Sequence, residues 1–188
     1  NFLSNIFIIK KPNLKRKPIF VWSVQREKGL NQTINTWIND IYPINKKAQL
    51  FIYGINTKNY INRKDYYNKS NIHFFGRVSK TELKKVYLKA TAMICLGFDE
   101  TFCLNALEAN ACGLPVLTFG KTGLNELIKN SYNGVVAKDY NDLSDKIIKL
   151  ITFNNQIKKR FIRNSFLYSK KFNFKNIENK WIKLLNSK

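Results

Sequence analysis

Short apolar runs alternate along this chain with longer segments whose apolar residues recur every three to four positions. The runs have the length of buried strands, and the segments have the period of helices. Strands are predicted at residues 19–23, 49–53, 72–75, 92–96, 116–118 and 135–137. Because strand–helix–strand units cross over right-handedly, this order predicts a parallel sheet with helices on both faces. We expect a doubly wound α/β fold that binds ligands at the carboxyl ends of its strands.

Helices are predicted between these strands and after the last one, at residues 29–42, 80–90, 103–111, 124–129, 141–153, 158–170 and 176–185. Ser79 and Glu82 form a capping-box pattern at the start of the second helix. Gly113 follows the third helix at the position where a left-handed turn is expected, and Asn133-Gly134 predicts a further turn. Residues 55–70 are polar and predict a loop.

The 188 residues suit one globular domain, with 44% hydrophobic residues. Residues 1–17 end in a basic cluster that includes Arg16, and we interpret them as a connector from an N-terminal domain. Residues 18–153 are the predicted ligand-binding domain, and 154–188 are basic helices that pack on it or cross back from it. The chain begins with Asn1, which indicates a piece of a longer protein.

Charge and cysteine content limit the class of protein. The formal charge of +21 favours an anionic partner: nucleic acid, a phospholipid surface or a phosphorylated small molecule. Abundant Lys, Asn and Ile leave open that the charge is a compositional bias of an A/T-rich genome. Three cysteines without a Cys-x-x-Cys pair favour a reducing cytoplasm and disfavour a zinc site. No apolar run is long enough to span a membrane, so membrane contact would be peripheral.

The segment 98–116 places two glutamates, Glu100 and Glu108, on either side of a predicted helix start. Amide groups and the helix dipole attract anions at such an end, which suits a pyrophosphate. Glu100 and Glu108 are separated by up to about 12 Å along a helix. Two carboxylates at this spacing suit the hydroxyl groups of a ribose and of a second sugar.

This segment resembles the GT-B glycosyltransferases of the group 1, or family 4, type. The motif is Glu, seven residues, Glu, and then Ala-x-Ala-x-Gly-x-Pro-Val, and it matches residues 100–116. Further matches are REKGL at 26–30, AQLFIYG at 48–54 and HFFGRV at 73–78. The resemblance implies a Rossmann-like C-terminal half of the GT-B architecture that binds a UDP-, GDP- or ADP-sugar.

The resemblance also implies residue roles. Glu100 would contact the donor sugar and Lys28 the pyrophosphate, which makes both catalytic candidates, while Glu108 would bind the ribose. Lys28 would neutralise the charge that grows on the departing nucleoside diphosphate. The remaining donor-binding candidates are Ser23, Arg26, Gly76, Arg77, Val78, Thr101, Phe102, Cys103, Leu104, Lys121 and Thr122. Ser23 stands where the family often has Arg, and Cys103 where it commonly has Gly.

The implied reaction is glycosyl transfer with retention of configuration to a saccharide or lipid-linked acceptor, without a metal or other cofactor. The acceptor site would belong to an N-terminal domain, so we expect this piece alone to be inactive. Two alternatives stay open: a nucleotide-sugar epimerase of the same architecture, and a non-enzymatic basic domain that binds nucleic acid or anionic lipid. We favour the transferase, with a nucleotide sugar rather than nucleic acid as its partner.

Overall fold

The computed structural model describes residues 3–24, 29–61, 64–98 and 102–186. Six strands in this part of the chain form one sheet in the order β3-β2-β1-β4-β5-β6, with every pairing parallel. The strands are β1 (Ile19–Trp22), β2 (Gln49–Tyr53), β3 (Ile72–Gly76), β4 (Ala92–Ile94), β5 (Val116–Thr118) and β6 (Gly134–Val136). The predicted doubly wound, Rossmann-like α/β fold is therefore confirmed.

Helices connect the strands and extend the chain beyond β6. The helices of the described residues are α1 (Leu30–Thr36), α2 (Lys58–Ile61), α3 (Lys64–Lys69), α4 (Lys80–Tyr87), α5 (Leu104–Ala111), α6 (Leu124–Leu127), α7 (Tyr140–Thr152), α8 (Asn155–Ser169) and α9 (Phe174–Leu185). A π-helical turn over Trp37–Ile41 extends α1. The predicted capping box is present, because Ser79 accepts from the Glu82 amide and the Glu82 carboxylate accepts from the Ser79 amide.

The centre of the sheet is buried on both faces, as expected for a parallel sheet covered by helices. All four residues of β1 are buried, and so are all three residues of β4. β1 and β4 lie at the centre of the sheet, where the connections change direction. Ligands of doubly wound sheets bind in the crevice beyond the carboxyl ends of such strands.

The prediction of a loop at residues 55–70 is wrong for α2 and α3. Tyr60 and Tyr67 are buried and pack their rings against Phe74, with centroids 4.5 Å and 5.1 Å away. Helices this short are stabilised by tertiary packing rather than by their own periodicity. Because the segment is mostly polar, its composition did not indicate that Tyr60 and Tyr67 are buried.

The segments at the two ends of the chain differ in how they pack. Leu3 and Phe7 are buried, so part of the segment before β1 contributes to the core. In α8, Phe161, Ile162 and Phe166 are also buried. By contrast, α9 exposes more than half of the Trp181 side chain, at 60%. No helix in the described ranges has both the length and the apolarity to cross a membrane.

Candidate functional site

A cavity of about 230 Å³ lies at the carboxyl ends of β1, β2 and β3. One wall is formed by the segments that follow those three strands, and the other by the first turn of α4 and the first two turns of α5. The lining residues are Ser23, Tyr53, Gly54, Arg77, Val78, Lys80, Leu83, Asn105 and Glu108. Four residues predicted from the sequence, Ser23, Arg77, Val78 and Glu108, are thus brought together in one cavity.

Glu108 is the acidic residue of this cavity, and it lies in the second turn of α5. Only 3% of its surface is exposed. Lys80 Nζ lies 2.6 Å from Oε1, while Oε2 has no hydrogen-bond partner within the described part of the chain. Burial raises the pKa of the Glu108 carboxyl, and the hydrogen bond and charge of Lys80 oppose that rise. A buried carboxylate oxygen without a partner is costly, so a hydroxyl donor from a ligand would be favourable here.

Ser23 closes the cavity at the end of β1. Its hydroxyl and the phenol of Tyr87 lie 2.6 Å apart, and both side chains are buried. Its carbonyl oxygen accepts from the Asn105 side chain, which joins the segment after β1 to the first turn of α5. The Ser23 hydroxyl is therefore engaged within the protein.

The turn after β3 forms the outer wall of the cavity. Gly76 has a φ of +66°, a left-handed conformation that favours glycine. Arg77 and Val78, which follow it, both line the cavity. Beside them, the ring of Tyr53 stacks on Phe75, with centroids 4.7 Å apart and planes at 12°. Burial, together with the nearby Glu82, raises the pKa of Tyr53 to about 12, so its phenol is neutral at pH 7.

Phe102, Cys103 and Leu104 form the start of α5, close to the predicted helix start. Cys103 precedes the first helical residue and has a φ of +52°. This left-handed conformation explains why glycine suits the position in the family that the chain resembles. Phe102 packs edge-on against Phe172 at 5.8 Å, while 41% of Leu104 is exposed.

Lys121 and Thr122 do not line this cavity, because they follow β5 on the far side of β4. Thr122 Oγ1 lies 3.1 Å from the carbonyl oxygen of Gly97, and Lys121 Nζ lies 5.5 Å from the centre of the Phe98 ring. They therefore flank the segment that leads from β4 towards residues 99–101. Their predicted contact with a donor sugar stays a prediction.

Four predicted site residues lie outside the described residues: Arg26, Lys28, Glu100 and Thr101. Their roles therefore remain those implied by the resemblance. Within the described ranges, no group of three or more His, Cys, Asp or Glu side chains could hold a metal ion.

Three polar residues around the site were not predicted from the sequence: Lys80, Tyr87 and Asn105. Asn105 lies three positions before Glu108 on a predicted helix, so helical spacing places both on one face. Lys80 and Tyr87 carried no such signal, because their contacts with Glu108 and Ser23 join residues 28 and 64 positions apart.

Comparison with known proteins identifies the family. The model of the family described as glycosyl transferases group 1 matches residues 3–167. The chain belongs to the group 1 glycosyltransferases. An uncharacterized glycosyltransferase of Methanocaldococcus jannaschii is 34% identical over 109 residues, which are 57% of this chain and 31% of that protein. The N,N'-diacetylbacillosaminyl-diphospho-undecaprenol alpha-1,3-N-acetylgalactosaminyltransferase of Campylobacter jejuni is 29% identical over 46% of this chain and 23% of its own.

Solved structures of glycosyltransferases share the fold of this group 1 member. A TarM variant of S. aureus, crystallised with fondaparinux, alpha-GlcNAc-glycerol and UDP, has a TM-score of 0.80 at 22% identity, over 99% of this chain and 38% of its own. HepE of Anabaena, in complex with UDP and glucose, has a TM-score of 0.73 at 16% identity, over 93% of this chain and 50% of its own. The chain therefore spans half or less of these proteins, and its resemblance to a C-terminal GT-B domain is confirmed.

Proposed function

We propose that this chain is the donor-binding domain of a retaining glycosyltransferase and binds a nucleoside-diphosphate sugar in the cavity beside Glu108. The observation that carries the proposal is the buried Glu108 carboxylate, with one oxygen held by Lys80 and the other without a partner among the described residues. The two hydroxyl groups of a ribose supply the donors that such an oxygen lacks. The base would then lie against the turn at residues 76–78.

A uridine nucleotide is the proposed donor, and no metal or other cofactor is required. TarM and HepE, which share the fold, were crystallised with UDP, which supports this choice. Lys28 would stabilise the diphosphate leaving group, and Glu100 would bind the transferred sugar. These two roles rest on the resemblance.

The acceptor is proposed to be a saccharide or a lipid-linked saccharide, bound by a second domain of a longer protein. The acceptor named for the Campylobacter jejuni relative is an undecaprenol diphosphate saccharide, which supports a lipid-linked one. We also propose that the protein acts in the cytoplasm, with peripheral contact to the membrane that carries such an acceptor. The chain alone should show no transferase turnover.

Isothermal titration calorimetry of the chain with UDP, GDP, ADP and uridine tests the donor proposal. Glu108→Gln should weaken UDP binding at least about tenfold, because a hydrogen bond to a charged group is worth about 1.5–3 kcal/mol. The matched control is Glu178→Gln, an identical charge change at an exposed position of α9. Absence of heat with every nucleotide, or equal UDP affinity in Glu108→Gln and the wild type, would overturn the proposal.

The same variants separate nucleotide binding from nonspecific binding of polyanions by the +21 charge. Removing one negative charge should leave the affinity for single-stranded DNA unchanged or slightly higher, because phosphate contacts depend on the basic residues. A parallel loss of DNA and UDP affinity in Glu108→Gln would instead indicate damage to the whole domain.

A further inference from the structure

Lys80 is anchored at the edge of the cavity by the geometry of α4. It is the first residue of this helix, and the Ser79–Glu82 capping box fixes the backbone on which it stands. Its side chain is about half exposed, at 53%, whereas only 4% of the Glu108 side chain is exposed. The ion pair thus joins a solvent-facing cation to a buried anion, and it spans the cavity wall between α4 and α5.

Few groups in the described ranges act on the charge of Glu108. Tyr87 of α4 and Cys112, just after α5, lie near enough to interact with it, and burial raises the pKa of both, so they are neutral at pH 7. Arg77 lines the same cavity from the turn after β3. Lys80 is the group whose hydrogen bond and charge offset the burial of Glu108.

The described residues at the end of β1 supply no cation to this cavity. Ser23 stands at the position where the resembled family often has Arg, and its hydroxyl lies 2.6 Å from the Tyr87 phenol. The described part of the cavity therefore depends on α4 and the turn after β3 for positive charge.

We infer that Lys80 is a positioning residue for nucleotide binding: it holds the Glu108 carboxylate ionised and oriented, so that this carboxylate accepts from the ribose hydroxyls. The inference rests on the proposed function and extends it to a residue of α4. Removing the ammonium group leaves the buried carboxylate uncompensated, which favours its protonated form. A protonated carboxyl makes weaker hydrogen bonds to hydroxyl groups than a charged one.

Three variants test the inference: Lys80→Met, Lys80→Arg and the control Lys85→Met, which removes an exposed lysine from the same helix. The first measurement is a pH titration of the glutamate side-chain carboxyls by ¹³C NMR without nucleotide, with the Glu108 signal assigned by Glu108→Gln. The Glu108 titration should move to higher pH in Lys80→Met. It should stay close to the wild type in Lys80→Arg and Lys85→Met.

The second measurement is UDP affinity by calorimetry at pH 6 and pH 8. Lys80→Met should bind UDP about tenfold more weakly at pH 6, with a smaller loss at pH 8, because a higher pH favours the ionised form of Glu108. Lys80→Arg should restore most of the affinity. Circular dichroism should show the same folded spectrum for each variant.

The outcomes separate this inference from the proposed function. If the wild type binds no UDP, the proposed function is wrong and the pair has no role in binding. If the wild type binds UDP but Lys80→Met leaves the Glu108 titration unchanged, the positioning role alone is overturned. An equal loss of affinity at both pH values without rescue by Arg would also overturn it, since that pattern indicates a purely structural residue.

Discussion

Arg16 donates from its guanidinium group to the carbonyl oxygen of Cys112 across 2.9 Å. The same group donates to the carbonyl oxygens of Gly113 and Tyr87, so it satisfies acceptors just beyond α5 and at the last residue of α4. Helix ends leave carbonyl groups without partners, and a partly buried cation is well suited to them. This residue of the segment before β1 thus joins the two helices that carry Lys80 and Glu108.

Arg16→Met should therefore destabilise the domain by about 3 kcal/mol, because buried carbonyl groups lose a charged donor. Urea unfolding followed by circular dichroism measures the change. Lys15→Met is the control, since Lys15 is exposed, and it should change the free energy of unfolding by less than about 0.5 kcal/mol. Equal effects of the two substitutions would contradict the helix-joining role.

Gly113→Ala should be more destabilising than Gly76→Ala, although both residues have a positive φ. Both variants incur a backbone cost of about 1–2 kcal/mol in the left-handed region. An added Cβ at Gly113 would lie 2.8 Å from Pro12 Cβ and 3.0 Å from Ile162 Cγ2, whereas at Gly76 its nearest neighbour is 3.4 Å away. We expect a further loss of about 1–3 kcal/mol at Gly113, measured by urea unfolding. Similar losses in the free energy of unfolding at both glycines would contradict this prediction, because they would show that Pro12 and Ile162 move aside at little cost.

Asn133→Ala should destabilise the protein by about 2–3 kcal/mol, because its side chain connects several buried groups. Asn133 Nδ2 donates to Asn110 Oδ1 across 2.6 Å, and its Oδ1 accepts from the Lys129 amide. Neither asparagine exposes any surface. Thermal unfolding measures the effect, with Asn179→Ala at an exposed position as the control. A melting temperature equal to that of the control would count against this network.

UDP affinity of the wild type should fall as the pH falls through the pKa of Glu108, which burial raises above its usual 4.5. Above that pKa the carboxylate is charged and accepts strongly, and below it the proton weakens the contact. Calorimetry between pH 5 and about pH 8 measures the change. Glu108→Gln has no titrating group at this position, so the pH dependence of its weaker affinity should reflect only protonation of the nucleotide. Parallel pH profiles in the two proteins would refute the role of Glu108.

The sequence predicted the strands and most helices because their apolar residues repeat with a clear period. The left-handed turn at Gly113 was predicted from the position of this glycine directly after a helix, and its φ of +69° confirms the turn. The turn at Asn133 was also predicted, but its burial was not, because the partners of Asn133 lie in other elements. Arg16 belonged to a cluster of basic residues, and nothing local distinguished it from its exposed neighbour Lys15.

The candidate site was predicted in part. Glu108 was predicted by the family motif, and the structure adds its burial and its unpaired oxygen. Lys80 was missed because its ion pair depends on how α4 and α5 pack together, which no spacing along the chain encodes. Long-range pairs of this kind are the part of a binding site that a single sequence hides.

A crystal structure of the chain grown with UDP would test the central claim most directly. We expect the ribose hydroxyls within about 3 Å of the Glu108 carboxylate, with Lys80 still paired to it. UDP bound elsewhere, or bound in the cavity with its ribose away from Glu108, would contradict the proposed site.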